Sequence, residues 1–329
     1  MKNSLTRKTL AATGLVVAGL AAAHAAEDPA KFPTKTMTLV VPYAPGGSSD
    51  TRARMLAAKM QQTLGQTIIV ENKAGGGGNI GTAQIAKAAP DGYTFGIGNF
   101  APLSVNKAMM PKMPFDPDKD LAPIILIERG PLVLVVPEKS QFKSFNEMMS
   151  FGKAHPDKIS FASAGVGGAY HLAGELLSEA TGVPMVHVPY KGGGPATTDL
   201  LAGQVTFMFD MAPAVLPHIK EHKMRALAVA NEKRLPQLPD VPTLDELGLK
   251  NMAMSNWFGL VAPKGTPPAI IAKLNEAANK ALKEPELVKA ITEPGNIMGG
   301  GTPEQFLTFV SGETARWSKV VKDKKITAE

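Results

Sequence analysis

From Thr38 to Gly65 the chain reads as a short apolar strand, a glycine turn and a helix. The run Thr38-Leu-Val-Val-Pro-Tyr-Ala-Pro-Gly-Gly-Ser-Ser-Asp50 leads into Thr51-Arg-Ala-Arg-Met-Leu-Ala-Ala-Lys-Met. Pro42 and Pro45 end the strand, since neither donates to a sheet ladder. Gly46 and Gly47 permit a sharp turn and a close approach of backbone. Ser48, Ser49 or Asp50 is placed to cap the helix, whose first free N–H groups point back at the glycines. A strand ending in glycines at a helix N-terminus favours an anion. The arrangement echoes later: Val41-Pro-Tyr-Ala-Pro-Gly-Gly to Asp50 returns as Val188-Pro-Tyr-Lys-Gly-Gly to Asp199. Two such units predict two similar α/β lobes, each offering a glycine loop to a shared cleft.

The remaining pattern agrees. Strands are expected at Thr67–Glu71, Tyr93–Gly98, Ile124–Glu128, Leu132–Val136, Ile159–Ala162, Val186–Tyr190, Val205–Phe209, Arg225–Val229 and Asn256–Ala262. Helical patterns alternate with them, which argues for mainly parallel sheets covered on both faces. Ser144-Phe-Asn-Glu147, Thr243-Leu-Asp-Glu246 and Thr302-Pro-Glu-Gln305 have the form of capping boxes. Pro267 is expected at the first position of a helix running to Leu282. In such sheets a ligand sits beyond the carboxyl ends of the strands. That rule brings in Asn99 and Asp210, the latter facing the cleft or capping a turn. His171 stands one to two turns into a helix and either reaches the cleft or packs.

The first 26 residues are set apart. Lys2, Arg7 and Lys8 precede an apolar run of about 13 residues, short of the ~20 a spanning helix needs, and Ala23-His-Ala25 resembles a cleavage site. This is a secretory signal peptide, residues 1–25. With no acid before Glu27, removing the leader lowers the formal net charge from +6 to +3. That balance, without basic stretches interleaved with aromatics, argues against nucleic acid. The chain has no cysteine, which excludes disulfides, thiol nucleophiles, thiolate metal sites and a lipoprotein anchor. The expected place is the periplasm.

Other motifs carry less. Gly76-Gly-Gly-Asn-Ile-Gly81 matches the dinucleotide pattern. The acid expected at the end of the next strand is replaced by Gly98 and Asn99. His218-Ile-Lys-Glu-His222 has the H-x-x-E-H form, with no third zinc ligand suggested nearby. Ser163 lacks the first glycine of a nucleophile elbow. No cofactor or metal is expected, and no catalytic residue is assigned. What remains is three glycine and hydroxyl loops at strand ends, with Lys191 their one cation: donors without a base or nucleophile, the chemistry of a binder.

These residues resemble the substrate-binding receptors of tripartite tricarboxylate transporters, the Bug-type proteins. The resemblance covers nearly the whole chain after the leader. It is carried by the opening loop, by Val70-Glu-Asn-Lys-Ala-Gly-Gly-Gly-Gly-Asn-Ile-Gly81, by Ala88-Ala-Pro-Asp-Gly-Tyr-Thr94 and by Pro114-Phe-Asp-Pro117. Val186-His-Val-Pro-Tyr-Lys-Gly192, Asp199-Leu-Leu-Ala-Gly-Gln-Val205 and Arg225-Ala-Leu-Ala-Val229 continue it. Leu238-Pro-Asp-Val-Pro-Thr243 and Trp257-Phe-Gly-Leu-Val-Ala-Pro263 complete it. His222 departs from the pattern, where family members often carry glycine. The resemblance implies a two-lobed periplasmic-binding-protein fold (type II-like) that closes over a small organic carboxylate. The carboxylate would be a di- or tricarboxylate, an acidic amino acid or an aromatic acid. It implies a monomer that hands its cargo to membrane permease subunits. The lobes would comprise 27–128 with 256–329, and 129–255. The binding residues it implies come from three loops, gripping through amides, hydroxyls and water: Tyr43, Pro45, Gly46, Gly47, Ser48, Ser49 and Asp50; Ser163, Ala164 and Gly165; Tyr190, Lys191, Gly192 and Thr197. Asn99, His171 and Asp210 are added from the strand-end argument. The competing readings are an exported hydrolase using Ser163 or the His218/His222 pair, and a ligand sensor serving a membrane kinase.

Overall fold

The structure, a computed structural model, describes residues 29–110 and 112–327; the expected signal peptide lies outside them. In chain order the elements are β1 (Met37–Val41), α1 (Ser48–Leu64), β2 (Ile68–Asn72), α2 (Asn79–Ala86), β3 (Thr94–Asn99), α3 (Asn106–Met109), α4 (Pro117–Asp120) and β4 (Leu121–Pro137). There follow α5 (Phe145–Ala154), β5 (Ile159–Ser163), α6 (Ala169–Thr181), β6 (Met185–Pro189), α7 (Gly193–Leu201), β7 (Phe207–Met211), α8 (Ala212–Lys220) and β8 (Met224–Ala230). β9 (Ser255–Pro263), α9 (Pro268–Ala281), α10 (Pro285–Thr292), β10 (Ile297–Gly300) and α11 (Pro303–Asp323) complete the described chain. None of the described helices is long and apolar enough to cross a membrane.

Two sheets share one strand. β2, β1 and β3 are parallel, β9 runs antiparallel to β3, and the first part of β4 pairs with β9 from Leu121↔Pro263 to Pro131↔Ser255. From Leu132 onward β4 pairs instead with β7 and β8, and β7 continues through parallel β5 to β6. The sequence suggests two strands broken at Gly130-Pro131; the structure has one strand of 17 residues. Its prolines are tolerated because Pro123 lies at a register shift and Pro131 at the handover between sheets, positions where a missing donor costs least. The α/β, two-lobed expectation holds. The parallel ladders are confined to β1–β3 and β5–β7, because the shared strand meets β9, β7 and β8 antiparallel.

Local signals are honoured where a core backs them. Gly65, φ +68°, closes α1 with its N–H on Gln61 O, as a left-handed C-cap should. The Thr302/Gln305 box opens α11, which buries Phe306, Trp317 and Val321. Ser144 caps α5, but Glu147 turns to the Lys143 N–H and leaves the box half closed. Thr243 and Glu246 do exchange bonds, yet they close only a turn that Gly248, φ +89°, ends. Pro267 is the N-cap of α9 and Pro268 its first residue. Phe100 packs against Trp257 and Trp317 in the aromatic core, away from any cleft.

One buried ion pair fixes α1 to the shared strand. Arg52 Nε donates to Glu128 Oε1 at 2.6 Å, its Nη2 to Oε2 at 3.2 Å and to Ala290 O at 3.2 Å; Asn296 Nδ2 also reaches Glu128 Oε2, at 2.8 Å. Both ionic side chains are nearly inaccessible, at 5% and 2%. Removing one partner leaves the other charge buried without compensation. Glu128→Ala is therefore expected to cost about 3–5 kcal/mol, read as a fall in urea midpoint. An unchanged midpoint would mean that water replaces the carboxylate without loss.

Candidate functional site

The glycine loops after β1 and β6 meet each other. Ala44 N–H donates to Lys191 O at 2.8 Å. A Cβ on Gly47 would lie 3.2 Å from Gly193 N and 3.3 Å from Gly194 N; one on Gly194 would lie 2.4 Å from Pro45 O, and one on Gly192 2.8 Å from Ala44 N. Backbone rests on backbone: at Gly192 and Gly194 a side chain would force the partner loop to move, and at Gly47 the partner would have to give by a few tenths of an ångström. The loop after β2 makes a second contact: Gly75 to Gly78 all have φ between +57° and +133°, and a Cβ on Gly77 would lie 2.2 Å from Val166 O. The tight turn read at Gly76–Gly81 is thus a contact with the loop after β5 as well as a turn.

Between these contacts lies a narrow cleft, lined by Tyr43, Ser48, Ser49, Gly77, Asn99, Ala164, Gly165, Gly168, Ala169, Tyr170, Gly193, Asn256 and Phe258. Three helices begin on it. α1, α6 and α7 have the glycine N-caps Gly47, Gly168 and Gly192, and none of the three has a side-chain cap bond. Their first N–H groups are therefore unclaimed by side chains and add the positive ends of three helix dipoles. A polar chain forms the floor. Tyr43 Oη donates to Asn99 Oδ1 at 2.5 Å, Asn99 Nδ2 to Asn256 Oδ1 at 3.1 Å, and Asn256 Nδ2 reaches Tyr170 Oη at 3.5 Å. Burial pushes both phenols up from the ordinary value, so both stay protonated. Among the described residues, no Lys, Arg or His lines this cleft.

Of the residues expected at the site, Tyr43, Ser48, Ser49, Asn99, Ala164 and Gly165 come together here. Pro45, Gly46, Gly47 and Gly192 form the inter-loop contact, and Lys191 contributes its carbonyl there while its side chain is exposed. The remaining expected residues have other work. Gly47 and not a side chain caps α1; Asp50 is buried, accepting from Gly46 N, Arg54 Nε and Asn72 Nδ2 at 3.1, 3.1 and 2.9 Å. It holds the loop's shape instead of facing the cleft. Burial opposes its ionisation, but these bonds outweigh that and hold its carboxyl below the usual range. Ser163 is fully buried and turns its hydroxyl to His187 and Gly165. His171 faces a separate cavity with Glu175 and His187. Tyr190 donates to Asp199 Oδ2 at 2.7 Å.

Thr197 and Asp210 line a neighbouring compartment with Gly46, Gly47, Ser48 and His218. Asp210 lies inside β7, its Oδ1 accepting from Met211 N at 2.7 Å. Burial pushes its carboxyl up to about 6, against weaker opposing effects of Tyr170, Met211 N–H and Ser48. Ser48 Oγ makes no hydrogen bond of good geometry, though it is near enough to both groups to influence them. Gly168, Ala169, Tyr170 and Gly193 fall within two of the three glycine and hydroxyl loops, Ser163–His171 and Tyr190–Asp199, though none is singled out by residue type; Gly77, Asn256 and Phe258 lie outside those loops. No metal-binding group of three or more His, Cys, Asp or Glu occurs among the described residues.

Residues 52–326 match the family model described as the tripartite tricarboxylate transporter family receptor, TctC. The protein BugT of Bordetella pertussis is 40% identical over 319 residues, which is 96% of this chain and 97% of that one. Among solved structures, the periplasmic binding protein BugD superposes with a TM-score of 0.86 at 36% identity, covering 90% of this chain and 99% of that one. A Rhodopseudomonas palustris protein solved with adipate, Rpa4515, gives 0.85 at 35% identity, over 90% and 99% of the two chains. MatC from the same species, with bound malate, gives 0.83 at 37%, over 88% and 100%.

Two outcomes are expected from this geometry. Gly47 has an ordinary φ of −87°, so Gly47→Val strains no backbone but drives a side chain into Gly193. Small-angle scattering of the variant is expected to show a larger radius than wild type at near-equal thermal stability; an unchanged radius would show that the loops give way. Asp210 binds its proton more tightly folded than unfolded, with a pKa of about 6 against the ordinary carboxyl value of 3.8. Stability therefore falls as pH rises through that window. Asp210→Asn is expected to be more stable than wild type by up to about 3 kcal/mol above pH ~6, with the gap closing below pH ~4, as followed by urea unfolding across pH.

Proposed function

This chain belongs to the tripartite tricarboxylate transporter receptor family, and on that premise we propose that it is a periplasmic receptor capturing a small organic carboxylate for a tripartite permease. The observation that carries the reading is the convergence of three uncapped helix N-termini on one cleft lined by hydroxyls and amides. Ser48, Ser49, Ala169 and Gly193, the first residues of these helices, bring their backbone N–H groups to it, and Tyr43, Asn99, Tyr170 and Asn256 supply neutral polar atoms. A helix N-terminus contributes about 0.3–1 kcal/mol to an anion, and more when partly buried. A hydrogen bond to a charged group adds about 1.5–3 kcal/mol. Several of these, less the ordering cost, are enough for micromolar binding near about −8 kcal/mol. Similarity to proteins solved with adipate and malate supports an acid of four to six carbons.

The lobes are assigned as residues 27–128 with 256–329, and 129–255, in keeping with the handover within β4 and the return at β9. Binding by a monomer, followed by delivery to the permease, is part of the same proposal. A hydrolase is disfavoured by Ser163, whose hydroxyl is fully buried and committed to His187 and Gly165.

Thermal unfolding in the presence of di- and tricarboxylates, acidic amino acids and aromatic acids tests the proposal. A ligand present at 100 times its dissociation constant adds about 2.7 kcal/mol, so an upward shift of several degrees is expected for at least one acid. Protein freed of carried-over ligand that responds to none of them would sink the carboxylate reading.

A further inference from the structure

Beside the cleft loop 163–168, in a cavity separate from the cleft, two imidazoles lie against each other with their planes tilted by 30°. The rings of His171 and His187 have centroids 4.1 Å apart, and His187 stacks in turn on Phe161 at 4.9 Å. Both rings bond to the loop. Gly167 N–H donates to His171 Nδ1 at 3.2 Å. Ser163 Oγ accepts the Gly165 N–H at 3.1 Å and has two further partners, His187 Nε2 at 2.6 Å and Gly165 O at 3.2 Å. The same loop supplies Ala164, Gly165 and Gly168 to the cleft. Its Gly165 approaches Gly77 of the other lobe closely, and its Gly167 approaches Asn106.

We propose that His171 is a positioning residue for the ligand-gripping loop, and that protonation of its Nδ1 releases the Gly167 N–H and weakens binding in acid. A protonated Nδ1 is a donor facing a donor, so the bond is lost and the loop from Gly165 to Gly168 loses its rear support. Burial first, and then His171, pull His187 down to about 3, so the contact between His187 and Ser163 is unchanged in mild acid.

The charged groups around His171 are few. Glu175 Oε1, on its own helix, stands 3.5 Å from Nε2 and favours the cation. The N-terminus of α6 opposes it, as does His187 from β6. Glu179 lines the same cavity but is engaged by Lys324, and Lys324 and Lys325 beyond α11 add positive charge. The cavity, about 490 Å³, gives water a route to the pair.

The test uses ligand-free ¹⁵N-labelled protein, following the His171 imidazole and the Gly167 amide from pH 8 to 5. The two are expected to titrate together, with Gly167 exchanging faster at low pH. In His171→Asn an amide oxygen replaces Nδ1 as an acceptor that does not titrate, so the Gly167 response is expected to be flat. In His171→Phe the loop is expected to be loose throughout. A His171 ring that stays neutral, a Gly167 amide indifferent to it, or an equal response in His171→Asn would overturn the proposal.

The binding arm rests on the carboxylate reading. It compares the dissociation constants of adipate and malate at pH 7.5 and 5.5. Losing one such hydrogen bond predicts roughly tenfold weakening in wild type, and a smaller change in His171→Asn. Asp210 and the ligand titrate in both proteins, so the difference between them isolates His171. Equal weakening in the two would overturn the link to binding. If no acid binds at any pH, the carboxylate reading falls, and the ligand-free titration still decides the role of His171.

Discussion

Everything about the cleft depends on two stretches of main chain lying against each other without side chains between them. The Ala44–Gly47 and Lys191–Gly194 segments approach so closely that a single Cβ on Gly194 would stand 2.4 Å from a carbonyl oxygen. Glycine is used here less for its torsional freedom than for its lack of bulk; Gly47 has an ordinary extended φ of −87°. Because the loops meet by backbone, the helices that follow them start almost at the contact. α1 and α7 therefore direct their free N–H groups into the same small volume, with α6 completing the set.

That geometry needs a rigid base. β4 supplies it by serving in both sheets, so the lobes are joined through a covalent strand and not through a loop alone. Arg52 and Glu128 then pin the helix carrying Ser48 and Ser49 to the strand at the last residues before the handover. An ion pair so dry is an expensive fixture compared with apolar packing of the same volume. What it adds is direction: the planar guanidinium meets the carboxylate with two bonds, so α1 cannot rotate about its axis and carry its N-terminus off the cleft.

The sequence made the architecture legible because its signals were local and repeated. The Pro-Tyr-x-x-Gly-Gly echo marked both loops of the contact, and the Thr302/Gln305 box marked a real helix start. Reading failed where the deciding contact was distant. Asp50 looked like a cap or ligand residue, yet Asn72 and Arg54, unrelated to the motif, draw it into the loop's scaffold. His171 and Ser163 looked equally apt for the cleft; their orientation is set by His187 on the neighbouring strand, through the register Phe161↔His187. Tyr170 at the start of α6 and Asn256 in β9 meet across 86 residues of sequence, which no local pattern announces. The antiparallel part of both sheets was missed for the same reason: a strand shared between lobes looks like two short ones.

The absence of cations from the described cleft lining fits the proposed role of a solute-binding receptor. A buried Arg facing the ligand would be an uncompensated charge in the empty state, costing several kcal/mol that binding would then have to recover. Backbone N–H groups at helix ends carry only fractional charge, so the empty cleft is tolerable and the filled one is favoured by modest increments. Affinity assembled in this way is spread over both lobes. Opening the contact at Gly47 and Gly194 therefore withdraws part of the grip, that of Gly193 and of the Ala164–Ala169 loop and helix start, while Ser48 and Ser49 keep theirs. A ligand held by a single Arg would keep most of its binding energy after the lobes part. One held, as proposed, by three helix ends in two lobes would lose a share of it as they part, so that opening itself would favour release.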